Sequence, residues 1–394
     1  MKNETVNLKE FVILNKNKFC IRLKIYLAVF LMFFLVFQVS FSAWEKTKTV
    51  PADYRDVLWL DIFFLESDPN YGWTCGWDFQ NDFASVLRTT DGGKTWAGSR
   101  VMNANQLESI HFSSKLVGYT SGLHYSRGDY YGTIKKTTDG GITWFDVTPP
   151  IKNISLWGNF FINDNIGWVI GGGCDGEGQH FFKTTDGGAN WSHFKTNQGN
   201  TGLTDVIMYS ADGLGFASSS GYIWQTINGG NSWFILAKSG DIDWQEELTN
   251  FGNSFLVPFA RSCTGNGSGG GMRFSVDFGK TWRETVLPKE MFGAFLIDSL
   301  CGWVCGREPI VFYTSDGGLS WQLQNCGIDP DDTLDDIWFM NDSTGFVVGS
   351  NIYRYIPPKA IYPKIVPDTV NMCPGDSVTL LTEDSYEEDF WSTG

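Results

Sequence analysis

The chain has 394 residues, 42% of them hydrophobic and 16% aromatic, with 17 Trp and 45 Gly. This composition supplies a large core, many turns and many buried indoles. The formal net charge of −15 argues against nucleic acid or anionic lipid as a partner, and its simplest role is to keep an exported protein soluble.

The first segment, residues 1–43, reads as a secretory signal peptide. Lys16, Lys18, Arg22 and Lys24 precede an unbroken apolar run over 25–37, and small residues follow at Ser40, Ser42 and Ala43. The run is short for a membrane anchor, so cleavage after Ser42 or Ala43 is expected. Seven of the eight cysteines remain after that cleavage. None has zinc-site spacing, and their pairing is not legible.

From residue 44 the chain is repetitive. An octapeptide occurs six times: TTDGGKTW (89–96), TTDGGITW (137–144), TTDGGANW (184–191), TINGGNSW (226–233), SVDFGKTW (275–282) and TSDGGLSW (314–321). Before five of the copies lie a Gly-aromatic block, such as GWTCG (72–76) or GYTSG (118–122), and before that an apolar strand, such as DIFF (61–64) or SIHF (109–112). A period near 45 residues, built from short strands and Gly-rich turns, predicts an all-β propeller with one four-stranded sheet per repeat. The Gly pair supplies the left-handed backbone of a hairpin between the third and fourth strands. The turn residues Asp91, Asp139, Asp186, Asn228, Asp277 and Asp316 accept backbone N–H bonds, and Trp96, Trp144, Trp191, Trp233, Trp282 and Trp321 bury their rings against the blade. The octapeptide is therefore read as scaffold.

Counting the degenerate fifth unit, which starts near Glu246, there are seven copies of the upstream strands. The seventh, 334–355, lacks its fourth strand. AWEKTKTV (43–50) resembles TWFDVT (143–148), so the N-terminal strand is expected to complete blade seven and close the ring, which removes exposed sheet edges.

The pattern [ST]-x-D-x-G-x-[TS]-W resembles the Asp-box, or BNR, repeat. The fuller unit, with its Gly-Trp strand ahead of RTTDGGKTW, resembles the photosystem II assembly and stability factor family of propellers over residues 44 to about 355. That resemblance implies a seven-bladed propeller, 44–356, that helps assemble a membrane complex. The same repeat occurs in exported proteins unconnected with photosynthesis, so it speaks to fold before task. After Pro357 and Pro358, VNMCPGDSVTLL (370–381) resembles the first half of an immunoglobulin-like module of secreted Bacteroidota proteins, making 357–394 a linker and a truncated sandwich.

Asp-box repeats also occur in sialidases and glucan hydrolases. No three-Arg clamp with a Tyr–Glu pair is recognisable, and the xyloglucan hydrolases use two propellers where this chain has one. No catalytic residues are assigned, and no cofactor or metal is expected. DPDDTLDD (329–336) reads as a solvated acidic turn, CTGNGSGGGMRF (263–274) as a flexible loop, and His111 as a packing residue in a strand. A rigid carboxylate pair in the central pocket would favour an enzyme, and an aromatic rim without one would favour binding. The long loops joining strands two and three carry Trp77, Phe79, His124, Tyr125, Arg127, Tyr130 and Tyr131, the residue types that anchor protein or sugar partners. The reading is a secreted, monomeric, non-catalytic scaffold for a protein or polysaccharide of the cell envelope, with no nucleic-acid role. The alternatives are a photosystem II assembly factor-like protein and a sialidase-like glycoside hydrolase.

Overall fold

Each repeat folds into one four-stranded antiparallel sheet, and seven such sheets make a β-propeller. The computed structural model describes residues 43–126, 129–172, 178–196, 202–238, 244–261, 269–357, 365–366 and 381–382. The propeller lies within one unit, Ser42–Pro357. Its inner strands are Val57–Phe64, Gln106–Phe112, Leu156–Phe161, Leu203–Met208, Thr249–Phe251, Met291–Leu296 and Leu334–Asn341, which number blades 1 to 7. Separately, Ile365–Val366 pairs with Leu381–Thr382. The expected signal peptide and most of the expected immunoglobulin-like segment lie outside the described residues.

The Gly-aromatic block has a packing cause. In blade 1 a side chain at Gly72 would put its Cβ 2.4 Å from the Phe64 ring, and in blade 2 Gly118 lies under Phe112 in the same way, at 2.5 Å. The glycine lets the inner-strand ring fold flat across the second strand. The aromatic that follows then stacks on the next blade: Trp73 on Phe112 at 3.5 Å, Tyr119 on Phe161 at 3.4 Å and Trp303 on Phe339 at 3.8 Å between ring centres. The core is consequently laid down between blades. One cluster joins Trp59, Ile62 and Phe64 of blade 1 to Phe346, Val348 and Ile352 of blade 7. His111 packs in this layer between the Phe63 and Phe160 rings, 4.6 Å from each, and burial drives its pKa down to about 3.

The octapeptide turns behave as their sequence predicts. Gly92 and Gly93 take φ of +72° and +77°. Asp91 accepts the Thr95 N–H at 2.9 Å on Oδ1 and the Thr95 hydroxyl at 2.7 Å on Oδ2. The Thr89 hydroxyl donates to Asp91 and accepts the Gly93 N–H at 2.9 Å. Asp139, Asp186, Asp277 and Asp316 repeat this pattern, and Asn228 reproduces it with its amide donating to Ser232. Trp96 and Trp233 are buried, whereas Trp144, Trp191, Trp282 and Trp321 are half-buried. The turns also stitch blades together: the Trp73 indole donates to Gly140 O at 2.9 Å, and Trp168 donates to Gly229 O at 3.0 Å.

The N-terminal strand Ala43–Lys46 pairs antiparallel with Ile352–Ile356 and completes blade 7. Two readings need correction. Of the stretch 263–274, expected as a flexible loop, residues 270–274 belong to the buried third strand of blade 5, Gly270–Ser275. The stretch 329–336 is not wholly a solvated turn, because Asp335 and Asp336 belong to the inner strand of blade 7 and face the central channel. The four described cysteines, Cys75, Cys301, Cys305 and Cys326, are free thiols.

Candidate functional site

Six inner strands carry a register irregularity near their start, between Trp59 and Asp61, Leu107 and Ser109, Leu156 and Gly158, Leu203 and Asp205, Met291 and Ala294, and Leu334 and Asp336. Such a bulge re-aims consecutive side chains. Here it turns residues of six blades toward the channel, and blade 5 adds Glu246 and Glu247 from the segment just before Thr249–Phe251. The outer tier is Leu60, Glu108, Trp157, Thr204, Glu246, Phe292 and Asp335, and the inner tier includes Asp61, Ser109, Gly158, Asp205, Glu247 and Asp336. These residues enclose a cavity of about 80 Å³.

The inner tier staples neighbouring blades. Asp61 accepts the Ile110 N–H at 2.6 Å, Ser109 accepts that of Asn159 at 3.2 Å, and Asp205 accepts that of Leu248 at 3.0 Å. Glu247 accepts the Ala294 N–H at 2.6 Å, and Asp336 closes the circle by accepting that of Ile62 at 2.9 Å. Each carboxyl thus satisfies a backbone donor at the inner strand of a neighbouring blade, a need that burial makes stringent.

The outer tier carries carboxyls outside that stapling pattern. Gln106 donates to Glu108, and the Trp244 side chain bonds Glu246. Burial and then the Glu246 charge push Glu108 up to about 8. Burial takes Glu246 to about 7 and Asp205 to about 6. Asp61, Glu247 and Asp335 lie well above the carboxylate range, first through burial and then through neighbouring carboxylates. Arg307, 3.0 Å from Glu290, tempers the charge at Glu246 and Asp335. Among the described residues no group of three or more His, Cys, Asp or Glu is arranged to hold a metal ion.

The expected aromatic rim lies at the same end of blades 1 and 2. Trp77 pairs in register with Leu58, near the start of the strand that carries Asp61, and Gln106, two residues before Glu108, pairs with Leu123. Trp77 packs on Phe79 at 4.0 Å, and Phe79 and Tyr125 are 53% and 50% exposed. Asn105, between the two blades, ties their hairpins: its amide donates to Asp82 O at 3.1 Å, and its Oδ1 accepts the Tyr125 N–H at 2.8 Å. His124 Nδ1 lies 3.0 Å from the same oxygen, so this ring serves the tie. Tyr130 and Tyr131 stand opposite Tyr125 and His124 on the returning strand. Their hydroxyls bond Asn153 O at 3.3 Å and Asp129 at 3.4 Å. Arg127 lies outside the described residues.

Sequence reasoning named the rim residues and missed the channel. A signal was present: aligned on their channel-facing pairs, the repeats read Leu60-Asp61, Glu108-Ser109, Thr204-Asp205, Glu246-Glu247 and Asp335-Asp336, an acidic residue in five of seven blades.

No family model matches the chain. It is similar to the photosystem II stability/assembly factor HCF136 of Arabidopsis thaliana, a chloroplastic protein, with 23% identity over 352 residues, 80% of this chain and 79% of that one. Among solved structures it is similar to YCF48 bound to a D1 peptide, at TM-score 0.56 and 19% identity, over 81% of this chain and 98% of that chain. It is also similar to the GH74 xyloglucanase of Xanthomonas campestris, at TM-score 0.55 and 9% identity, over 79% of this chain and 53% of that chain. At such identities the solved structures speak to the seven-bladed fold alone.

Proposed function

We propose that this chain is a binding scaffold: a propeller that holds a segment of a partner protein on its long-hairpin face and performs no chemistry on it. The observation that carries this reading is the rim, in which exposed Phe79 and Tyr125 stand on two blades tied through Asn105. Exposed aromatics on a pre-organised support bind with little ordering cost. Similarity to a stability/assembly factor and to a propeller bound to a peptide supports a polypeptide partner. The net charge of −15 favours a basic segment over an acidic one. The octapeptide turns support an Asp-box assignment for the repeats. The basic and apolar residues before Ala43 support export, and hence a partner in the envelope or in a membrane complex assembled there.

Glycoside hydrolysis is a second reading, favoured by the channel carboxyls and by the likeness to a xyloglucanase. The inner tier fits it poorly, because Asp61 and Glu247 are in hydrogen-bonding contact with Asp336. Glycosidase pairs stand about 5 to 9.5 Å apart. A cavity of about 80 Å³ is also small beside the several hundred Å³ of ordinary ligand pockets.

The test is an array of overlapping peptides from the source organism's envelope proteins, probed with the full chain and with W77A/Y125A, alongside a reducing-sugar assay on xyloglucan. Peptides retained by the wild type and weakened roughly tenfold or more in the double variant are the expected result. Retention unchanged in that variant overturns the rim assignment. Sugar release with no peptide retained overturns the scaffold.

A further inference from the structure

We infer that the channel is a proton-dependent lock, in which Asp61, Asp336 and Glu247 share protons in a chain and so hold blades 5, 6, 7 and 1 together. The geometry begins with a gap. Blade 6, like blade 3 with Gly158, has a glycine at the inner-tier position, Gly293, and a Cβ there would come within 2.6 Å of Asp335 O and the Asp336 Cα. Blade 5 compensates with the longer Glu247, which caps Ala294 of blade 6 at 2.6 Å and still reaches Asp336 of blade 7. Asp336 in turn contacts Asp61 of blade 1 and accepts the N–H groups of Ile62 and Ile337.

Ionised carboxylates only accept, so three in hydrogen-bonding contact need protons between them. The backbone bonds pin all three, which prevents the repulsion from relaxing by separation. The groups facing this chain are Asp205 on blade 4, Glu246 beside Glu247, Glu108 on blade 2, Asp335 beside Asp336, and the Cys75 and Cys305 thiols. Arg307 is the cation acting on the channel carboxyls Glu246 and Asp335. Desolvation raises all three above the ordinary carboxylate pKa, so the chain retains protons that Asp61, Asp336 and Glu247 share.

The unfolded chain gives up these protons near pH 4. Folding therefore takes them up at higher pH, and stability declines as pH rises from about 4 toward the raised folded values. Each retained proton makes the unfolding constant rise roughly tenfold per pH unit in that window.

The experiment is urea unfolding of the full chain between pH 5 and 7, for the wild type and for D61N/E247Q. The amides mimic the protonated acids: they donate to Asp336 and keep an oxygen for the Ile110 and Ala294 amides. The expected result is that the variant lowers the slope of log unfolding constant against pH by about two. An unchanged slope overturns the lock. The infrared spectrum of the native wild type at pH 7 gives a reading that needs no variant. The absence of any protonated-carboxyl band overturns the lock even if D61N/E247Q fails to fold, and a band that loses about two carboxyls in D61N/E247Q supports it, since Glu108 contributes to the band in both proteins.

Discussion

Replacing Trp44 by Ala tests ring closure at its most concentrated point. The side chain is 2% exposed and packs against Tyr355 and Phe339 at 5.2 and 6.1 Å between ring centres. Its indole donates to Gln324 O at 2.6 Å, and its backbone N–H bonds Cys326 O at 2.7 Å. Truncating a buried Trp to Ala costs about 3–5 kcal/mol through lost burial and the cavity left behind. Trp44→Phe keeps most of the ring and loses the indole bond, a cost of about 1–2 kcal/mol. With a urea dependence of about 3 kcal/mol/M, the Ala variant's unfolding midpoint falls by about 1–1.7 M. The unpaired edge of Ile352–Ile356 should also promote association, seen as a larger species in size-exclusion chromatography. A W44A midpoint within about 0.3 M of the wild type would refute the idea that the N-terminal strand carries closure.

Gly93→Ala should destabilise by more than about 2 kcal/mol, because φ is +77° and the new Cβ would stand 2.3 Å from the Phe346 ring; thermal melting checks it. Backbone and hydroxyl bonds from Thr281 hold Asp277 at about 2, and bonds from Ser320 do the same for Asp316. Their stabilisation is present above the unfolded carboxyl pKa near 4 and is lost as pH falls toward 2. D277N/D316N should therefore flatten the acid limb of an unfolding titration, the opposite limb from the one the channel controls. Asn228→Asp in the fourth octapeptide should stabilise by less than about 1 kcal/mol at pH 7, since Ser232 would then donate to a charged acceptor. Among the described cysteines, exposed Cys326 should be alkylated in the native protein well before buried Cys75 and Cys305, as read by peptide mass mapping.

The scaffold was legible because its physical demands recur identically. Every blade needs a tight hairpin, so Gly pairs return at 92–93, 140–141 and 317–318, and every inner-strand ring needs a glycine beneath it. Even the degenerate blade 5 and the Trp44 closure followed from counting strands. The channel was not legible for the converse reason: its outer tier is filled in blade order by Leu, Glu, Trp, Thr, Glu, Phe and Asp, and a search for sameness passes over them. What six of the blades share there is a bulge, which exists only once strands are paired. In the rim, the aromatics were visible, but the tie through Asn105 was not, since that residue lies between two repeats.

Blade 7 also has a mechanical consequence. Ala43 stands opposite Ile356, and the pair runs antiparallel to Lys46 and Tyr353, so both chain ends leave the propeller from the same end of one four-residue seam. Tension applied between those ends would load the seam bond by bond, as a zip is drawn, instead of shearing all its bonds together. Under pulling, the ring would part at this seam while blades 1 to 6 kept their own hairpins, making the junction of the two ends the propeller's mechanical fuse.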